Sequence, residues 1–206
     1  MRAGIWEGWG ACTDGIAARD RGWRTADVGC GIGSVGSPLT RKGWARMTVS
    51  STISGGARDL SVAVLVSRYH DEITSALEQG AKDAFSAQGG DPAKLEIHDC
   101  PGAFELAFLA GVAVSTGRFD AVVCLGCVVK GETSHDAWIN GAVANELAAL
   151  SVRQGIPVAF GLLTVNDLDQ ARARSGGARG NKGEECMNAA LAAAAVASRL
   201  RAGGDS

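Results

Sequence analysis

Between Leu60 and Arg201, short apolar runs alternate with segments of helix length, and this alternation constrains the fold more than any other feature. Leu60–Ser67 (LSVAVLVS) is rich in valine and unbroken by charge, as a strand buried on both faces of a parallel sheet must be. Asp71–Gln88 follows, with Ile73, Leu77, Ala81 and Phe85 at four-residue steps along one helical face. Gly89-Gly90-Asp91-Pro92 stops it. Leu95–His98 reads as a second strand, Phe104–Thr116 as a strongly apolar helix ended by Gly117, and Ala121–Cys127 as a third strand. Trp138–Gln154 is a third helix closed by Gly155, Pro157–Val165 a fourth strand, Asp167–Arg174 a short helix and Glu184–Arg201 a long alanine-rich one. Strands separated by helices of this length demand right-handed βαβ crossovers. The fold predicted is a three-layer α/β/α sandwich around a four-stranded, mainly parallel sheet. In such sheets chemistry sits at the carboxyl ends of the strands.

The alternation does not reach the first 46 residues. That stretch holds four of the five tryptophans and ten of the 29 glycines, without a helical or strand period. Its charge is +3, against −5 for the remainder. It reads as a disordered extension or a misplaced start, ahead of a domain over residues 47–206. Within it, Gly29-Cys30-Gly31-Ile32-Gly33-Ser34-Val35-Gly36 imitates a nucleotide loop, but no strand precedes it and Pro38 follows where a helix should begin. A net charge of −2 offers no attraction for nucleic acid or an anionic membrane surface, and no apolar run is long enough to span a bilayer. The six cysteines show no disulfide spacing and are expected as free thiols in the cytoplasm. Cys124 and Cys127 form a CxxC without a second pair, so both are read as strand residues and no metal site is expected.

Three loops at strand ends hold the candidate chemistry. Tyr69, the sole tyrosine, follows the first strand, where an aromatic either stacks on a planar ligand or packs on a neighbour. Pro101-Gly102-Ala103-Phe104-Glu105 turns from the second strand into a helix, with Glu105 placed either to meet a ligand or to complement the helix dipole. The third loop, Val128-Val129-Lys130-Gly131-Glu132-Thr133-Ser134-His135-Asp136, combines glycine, hydroxyls and a histidine at a helix start. It suits an anion beside a proton carrier, although Ser134 or Asp136 could equally be helix caps. Later, three arginines and a lysine flank four glycines over Arg172–Gly183, either as a solvated loop or as a source of guanidinium for a phosphate.

Taken together, Arg68-Tyr69-His70, the Pro101–Glu105 segment, Gly126–His135, Phe160–Thr164 and Gly180-Asn181-Lys182-Gly183 resemble the lumazine synthase family, in that family's order and approximate spacing. The resemblance implies a flavodoxin-like fold and assigns roles residue by residue. Tyr69 takes the place of the aromatic that stacks on the pyrimidine. Ala103, Phe104 and Glu105 match the segment that binds the ribityl chain, and Val128, Val129 and the neighbouring Lys130 match the edge of the ring site. Gly131, Glu132 and Thr133 match the phosphate turn, and Arg174 the arginine that binds the phosphate. Phe160 and Lys182 match further pyrimidine contacts, and His135 the acid–base histidine. One departure is plain: the family has an aromatic directly after the histidine and then an acid, whereas here Asp136 follows at once.

The activity implied is condensation of 5-amino-6-(D-ribitylamino)uracil with 3,4-dihydroxy-2-butanone 4-phosphate to 6,7-dimethyl-8-ribityllumazine, with loss of phosphate and no cofactor. The resemblance also implies small-molecule substrates, a homopentamer or an assembly of pentamers with sites between subunits, and riboflavin synthase as a partner.

Overall fold

A computed structural model describes residues 57–203. The Gly29–Gly36 segment and the boundary expected at Met47 lie outside the described residues. Strand β1 (Val62–Ser67) leads into helix α1 (Asp71–Ala87) and, through a 3₁₀ turn at Pro92–Lys94, into β2 (Leu95–Cys100). Then come α2 (Glu105–Ser115), β3 (Ala121–Val129), α3 (His135–Gln154), β4 (Val158–Val165) and α4 (Leu168–Arg174). A two-stranded ribbon, β5 (Ser175–Gly177) with β6 (Gly180–Asn181), connects α4 to α5 (Lys182–Arg201).

The four main strands form one sheet in the order β2-β1-β3-β4, and every pairing in it is parallel. Side chains that alternate along β1 feed two cores. Val62, Val64 and Val66 face Ile73, Leu77 and Phe85 of α1 and Met187 and Leu191 of α5. Ala63 and Leu65 face Leu106 and Ala110 of α2 and Val143 and Leu147 of α3. Helices therefore cover both faces, which is why β1 as far as Val66 and the first seven residues of β3 carry no polar side chain. The three layers expected from the sequence are present. Gly155, at φ 71°, closes α3 as a left-handed cap.

The differences from expectation lie at element ends. Helix α3 begins at His135 rather than Trp138, because its first turn is solvent-facing and carries no apolar period. Helix α5 begins at Lys182 rather than Glu184. The basic glycine-rich stretch is not a plain loop: Ser175 pairs with Asn181 and Gly177 with Gly180 in an antiparallel ribbon.

The Gly180–Gly183 segment is built into the scaffold. The Asn181 side-chain oxygen accepts from the amides of Gly183 (2.8 Å) and Glu184 (3.4 Å), capping α5. Its amide nitrogen donates to the Ala76 carbonyl of α1 at 2.8 Å. A Cβ on Gly183 would lie 1.9 Å from the Leu77 carbonyl oxygen, so only glycine permits α1 and α5 to approach this closely.

Candidate active site

In the order β2-β1-β3-β4, the crossovers leave β1 and β3 in opposite directions, so a crevice opens between their carboxyl ends. A cleft of about 490 Å³ lies there, within the size range of small-molecule sites. Its walls come from three loops. Tyr69 and His70 follow β1, Gly102 to Glu105 follow β2, and Cys127 to Val129 with Gly131, Thr133, His135, Asp136 and Ile139 run from β3 into α3.

Each wall has a local cause. Only three residues separate β1 from α1, so the Tyr69 ring projects from a tight turn and is 78% exposed. The His70 ring meets it edge-on, with centroids 5.0 Å apart and planes at 87°. On the second wall the Cys100 thiol donates to the Gly102 carbonyl at 3.1 Å and holds the turn. Glu105 opens α2 and folds back over Gly102. At the third wall no side chain caps α3, although Ser134 occupies the cap position, so amide donors of the first turn remain for a ligand.

The cleft carries two carboxylates, Glu105 and Asp136, and two histidines, but neither lysine nor arginine. Asp136 does not orient His135: the one histidine–carboxylate ion pair among the described residues joins His98 to Glu96 at 3.3 Å. Burial pushes the Cys127 thiol up to about 11, so it stays protonated and unreactive at the cleft floor. Among the described residues no cluster of histidine, cysteine or acidic side chains could hold a metal ion. The four cysteines described are all free and buried.

Of the residues singled out in the sequence, Tyr69, Ala103, Phe104, Glu105, Val128, Val129, Gly131, Thr133 and His135 converge on this cleft. Lys130 and Glu132 belong to the same loop but point to solvent, and the Lys130 amide donates to the Val165 carbonyl at 2.8 Å. Phe160, Arg174 and Lys182 do not line it. Phe160 pairs with Cys124, four residues down β4 from the Thr164 that lies level with Val128, and is 40% exposed on the sheet edge. Arg174 ends α4 and donates to the Gln170 carbonyl at 3.1 Å. Lys182 opens α5 and pairs with Glu185.

Residues 59–198 match the family model for 6,7-dimethyl-8-ribityllumazine synthase. The chain belongs to the 6,7-dimethyl-8-ribityllumazine synthase family. Similar proteins carrying that name include one from Chlorobium phaeovibrioides, 40% identical over 147 residues, covering 71% of this chain and 93% of the relative. One from Sulfurovum sp. is 40% identical over 126 residues, covering 61% and 81%. A third, from Campylobacter hominis, is 38% identical over 130 residues, covering 63% and 83%. Membership in the 6,7-dimethyl-8-ribityllumazine synthase family makes the chain a transferase of riboflavin biosynthesis. No helix among the described residues is long and apolar enough to cross a membrane.

Several lining residues of this family member were not assigned a role from sequence. His70 and Gly102 reach the cleft on its loops, Cys127 from the end of β3 and Ile139 from the start of α3. His70 alone carried a usable signal, a titratable ring directly after Tyr69.

Proposed function

We propose that the chain condenses 5-amino-6-(D-ribitylamino)uracil with 3,4-dihydroxy-2-butanone 4-phosphate. The pyrimidine amine attacks the ketone and loses water to give an imine. Phosphate then leaves, and the ribityl-bearing nitrogen closes the second ring with loss of a further water, giving 6,7-dimethyl-8-ribityllumazine. The observation that carries this reading is the meeting of three separate family segments, around Tyr69, Ala103–Glu105 and Val128–His135, in one cleft at the sheet's switch point.

Tyr69 stacks on the pyrimidine and Val128 and Val129 hold its edge, with Lys130 alongside. Ala103, Phe104 and Glu105 bind the ribityl hydroxyls, with the Glu105 carboxylate as acceptor. The backbone of Gly131, Glu132 and Thr133 cradles the phosphate at the uncapped start of α3, with the Glu132 carboxylate turned to solvent. His135 moves protons. Holding two reactants in attack geometry supplies most of the acceleration, and a single acid–base group adds typically ~10²–10⁴-fold.

The charge of the cleft favours a site shared between copies of the chain. A phosphate beside Glu105 and Asp136 lacks a cation in this cleft, while Arg174 and Lys182 stand elsewhere on the same chain. A second copy that presents Phe160, Arg174 and Lys182 to the first copy's cleft resolves this. The exposed stripe Phe104, Phe108 and Val112 on α2, with Phe108 at 70%, is the apolar surface such a neighbour covers. The assembly is a homopentamer or a larger shell of pentamers in the cytoplasm, passing its product to riboflavin synthase.

The test is turnover by the purified full chain with both substrates, following lumazine absorbance and phosphate release together. Equal appearance of both products supports the reading. Binding of the heterocycle without turnover would favour a non-catalytic lumazine-binding relative, for which the unusual Asp136 beside His135 is the specific ground.

A further inference from the structure

The Tyr69 ring is 78% exposed, and its one aromatic contact among the described residues is the edge of His70. Packing therefore does not hold it, and its place depends on the backbone turn that carries it. Thr74 of α1 donates its hydroxyl to the His70 carbonyl at 3.2 Å, and Arg68 ties the other end of that turn to β2 and α1. The Arg68 guanidinium, 28% exposed, reaches the same Asp99 carboxylate oxygen with Nε at 2.7 Å and Nη2 at 2.6 Å. Nη2 also donates to Glu78 of α1 at 2.7 Å, and Nη1 lies 3.4 Å from Asp71 and 3.3 Å from the Ser75 hydroxyl. The Arg68 amide donates to the Cys100 carbonyl at 2.9 Å, one bond beyond the β1–β2 register.

These contacts join two walls of the cleft. Asp99 and Cys100 end β2 and lead directly into the Gly102–Glu105 wall, while Arg68 leads directly into the Tyr69–His70 wall. Glu78, with a side chain only 12% exposed, fixes the bracket to α1 and is itself paired with Lys82. The Arg68 donors are taken up by three carboxylates and a hydroxyl, so the group is not free to bind a phosphate. A planar guanidinium meets partners on several sides at once, whereas a lysine ammonium in its place would supply a point charge on a flexible stem.

We infer that Arg68 is a positioning residue, a clamp that sets the separation and orientation of the Tyr69 wall against the Glu105 wall. It rests on the reading of the cleft as the heterocycle site, but the ordering of Tyr69 can be measured without any substrate. Tyr69 is the only tyrosine in the chain, so protein grown with 3-fluorotyrosine carries a single fluorine label. Wild type is expected to give one ¹⁹F resonance away from its position in denaturant. In Arg68→Ala that resonance moves toward the denatured position. The KM for the ribitylaminopyrimidine rises about tenfold, as loss of a charge-assisted bracket implies, while the KM for the sugar phosphate stays within about twofold. Asp99→Ala shifts the resonance in the same direction, and Asp99→Asn, which keeps an acceptor oxygen, restores it.

A folded Arg68→Ala protein with the wild-type resonance and an unchanged KM for the heterocycle overturns the inference. Should Arg68→Ala not fold, Asp99→Ala at the exposed strand end carries the test, and an unmoved resonance there overturns it equally. Loss of all turnover in wild type would sink the proposed reaction and leave the ¹⁹F comparison standing.

Discussion

Helices α1 and α5 meet at Asn181, and a double substitution there tests whether that contact places Lys182. A Cβ on Gly80 would lie 2.3, 2.4 and 2.5 Å from the Asn181 Cγ, Nδ2 and Oδ1 atoms. Gly80→Ala therefore expels the Asn181 amide. Expulsion breaks the cap on the Gly183 and Glu184 amides and the 2.8 Å bond to the Ala76 carbonyl. Loss of an asparagine cap costs ~1 kcal/mol, and a hydrogen bond contributes another ~1 kcal/mol. Alanine returns ~1 kcal/mol over glycine inside a helix, so Gly80→Ala destabilises by roughly 1–2 kcal/mol once residual strain is included. Asn181→Gly keeps a tolerable cap residue, at a cost of roughly a few tenths of a kcal/mol, but also leaves the Ala76 carbonyl without its partner, for roughly 1–2 kcal/mol in all. In the double variant the obstructing atoms are gone and the alanine keeps its helical advantage. The pair is therefore expected to be more stable than either single variant, a coupling of roughly 2 kcal/mol, large for two side chains in contact. Urea unfolding followed by circular dichroism, at one fixed protein concentration, measures all four proteins. Additivity to within about 0.5 kcal/mol would refute the contact and with it this account of where Lys182 emerges.

Four shorter predictions concern the cleft and its supports. His135→Ala is expected to lower kcat by about 10²–10⁴-fold without abolishing lumazine formation, and an unchanged kcat removes the histidine from proton transfer. Arg174→Ala should raise the KM for the sugar phosphate about 10–100-fold, matching loss of a hydrogen bond to a charged group, and leave the pyrimidine KM nearly unaltered. Phe108→Glu puts a charge into the exposed α2 stripe, so sedimentation velocity should show smaller species, and an unaltered assembly places the interface elsewhere. Burial raises the Glu78 carboxyl, but hydrogen bonds from Lys82 and Arg68 outweigh it and leave the group below its ordinary value of 4.5. Its contribution is thus complete above about pH 4.5 and lost as the pH falls through the lower folded value, a slope that Glu78→Gln should remove from unfolding midpoints.

The large elements were legible because their signals are local. Ile73, Leu77, Ala81 and Phe85 repeat on one helical face, and the valines of β1 leave no polar face to expose, so period and composition agree with the packing they enter. Where an element packs on little, the signal fails. The first turn of α3 is mostly exposed, so its start at His135 carried no apolar mark. The β5–β6 ribbon is set by backbone contact, with the Cβ position of Gly177 only 2.7 Å from the Arg172 carbonyl, and no alternation announces it. Strand order depends on the direction each crossover takes, which no local pattern encodes.

The candidate site divides along the same line. Tyr69, Ala103–Glu105 and Val128–His135 follow strand ends, and a parallel sheet brings strand ends together, so their convergence followed from the fold class. Phe160, Arg174 and Lys182 belong to the sheet edge and to helix ends, where no such rule applies, and one chain leaves them apart from the cleft. The Gly180–Gly183 segment shows how one motif can serve both ends. Asn181 and Gly183 are explained in full by α1–α5 packing, and Gly180 by its φ of 84°. Lys182 has only a surface pair with Glu185, which is worth little to stability. Lys182 is thus held at the start of α5 by three scaffold residues and adds little to stability itself, which leaves it available for the shared site proposed above. In that proposal it supplies the positive charge that a cleft lined by two carboxylates and by neither lysine nor arginine lacks.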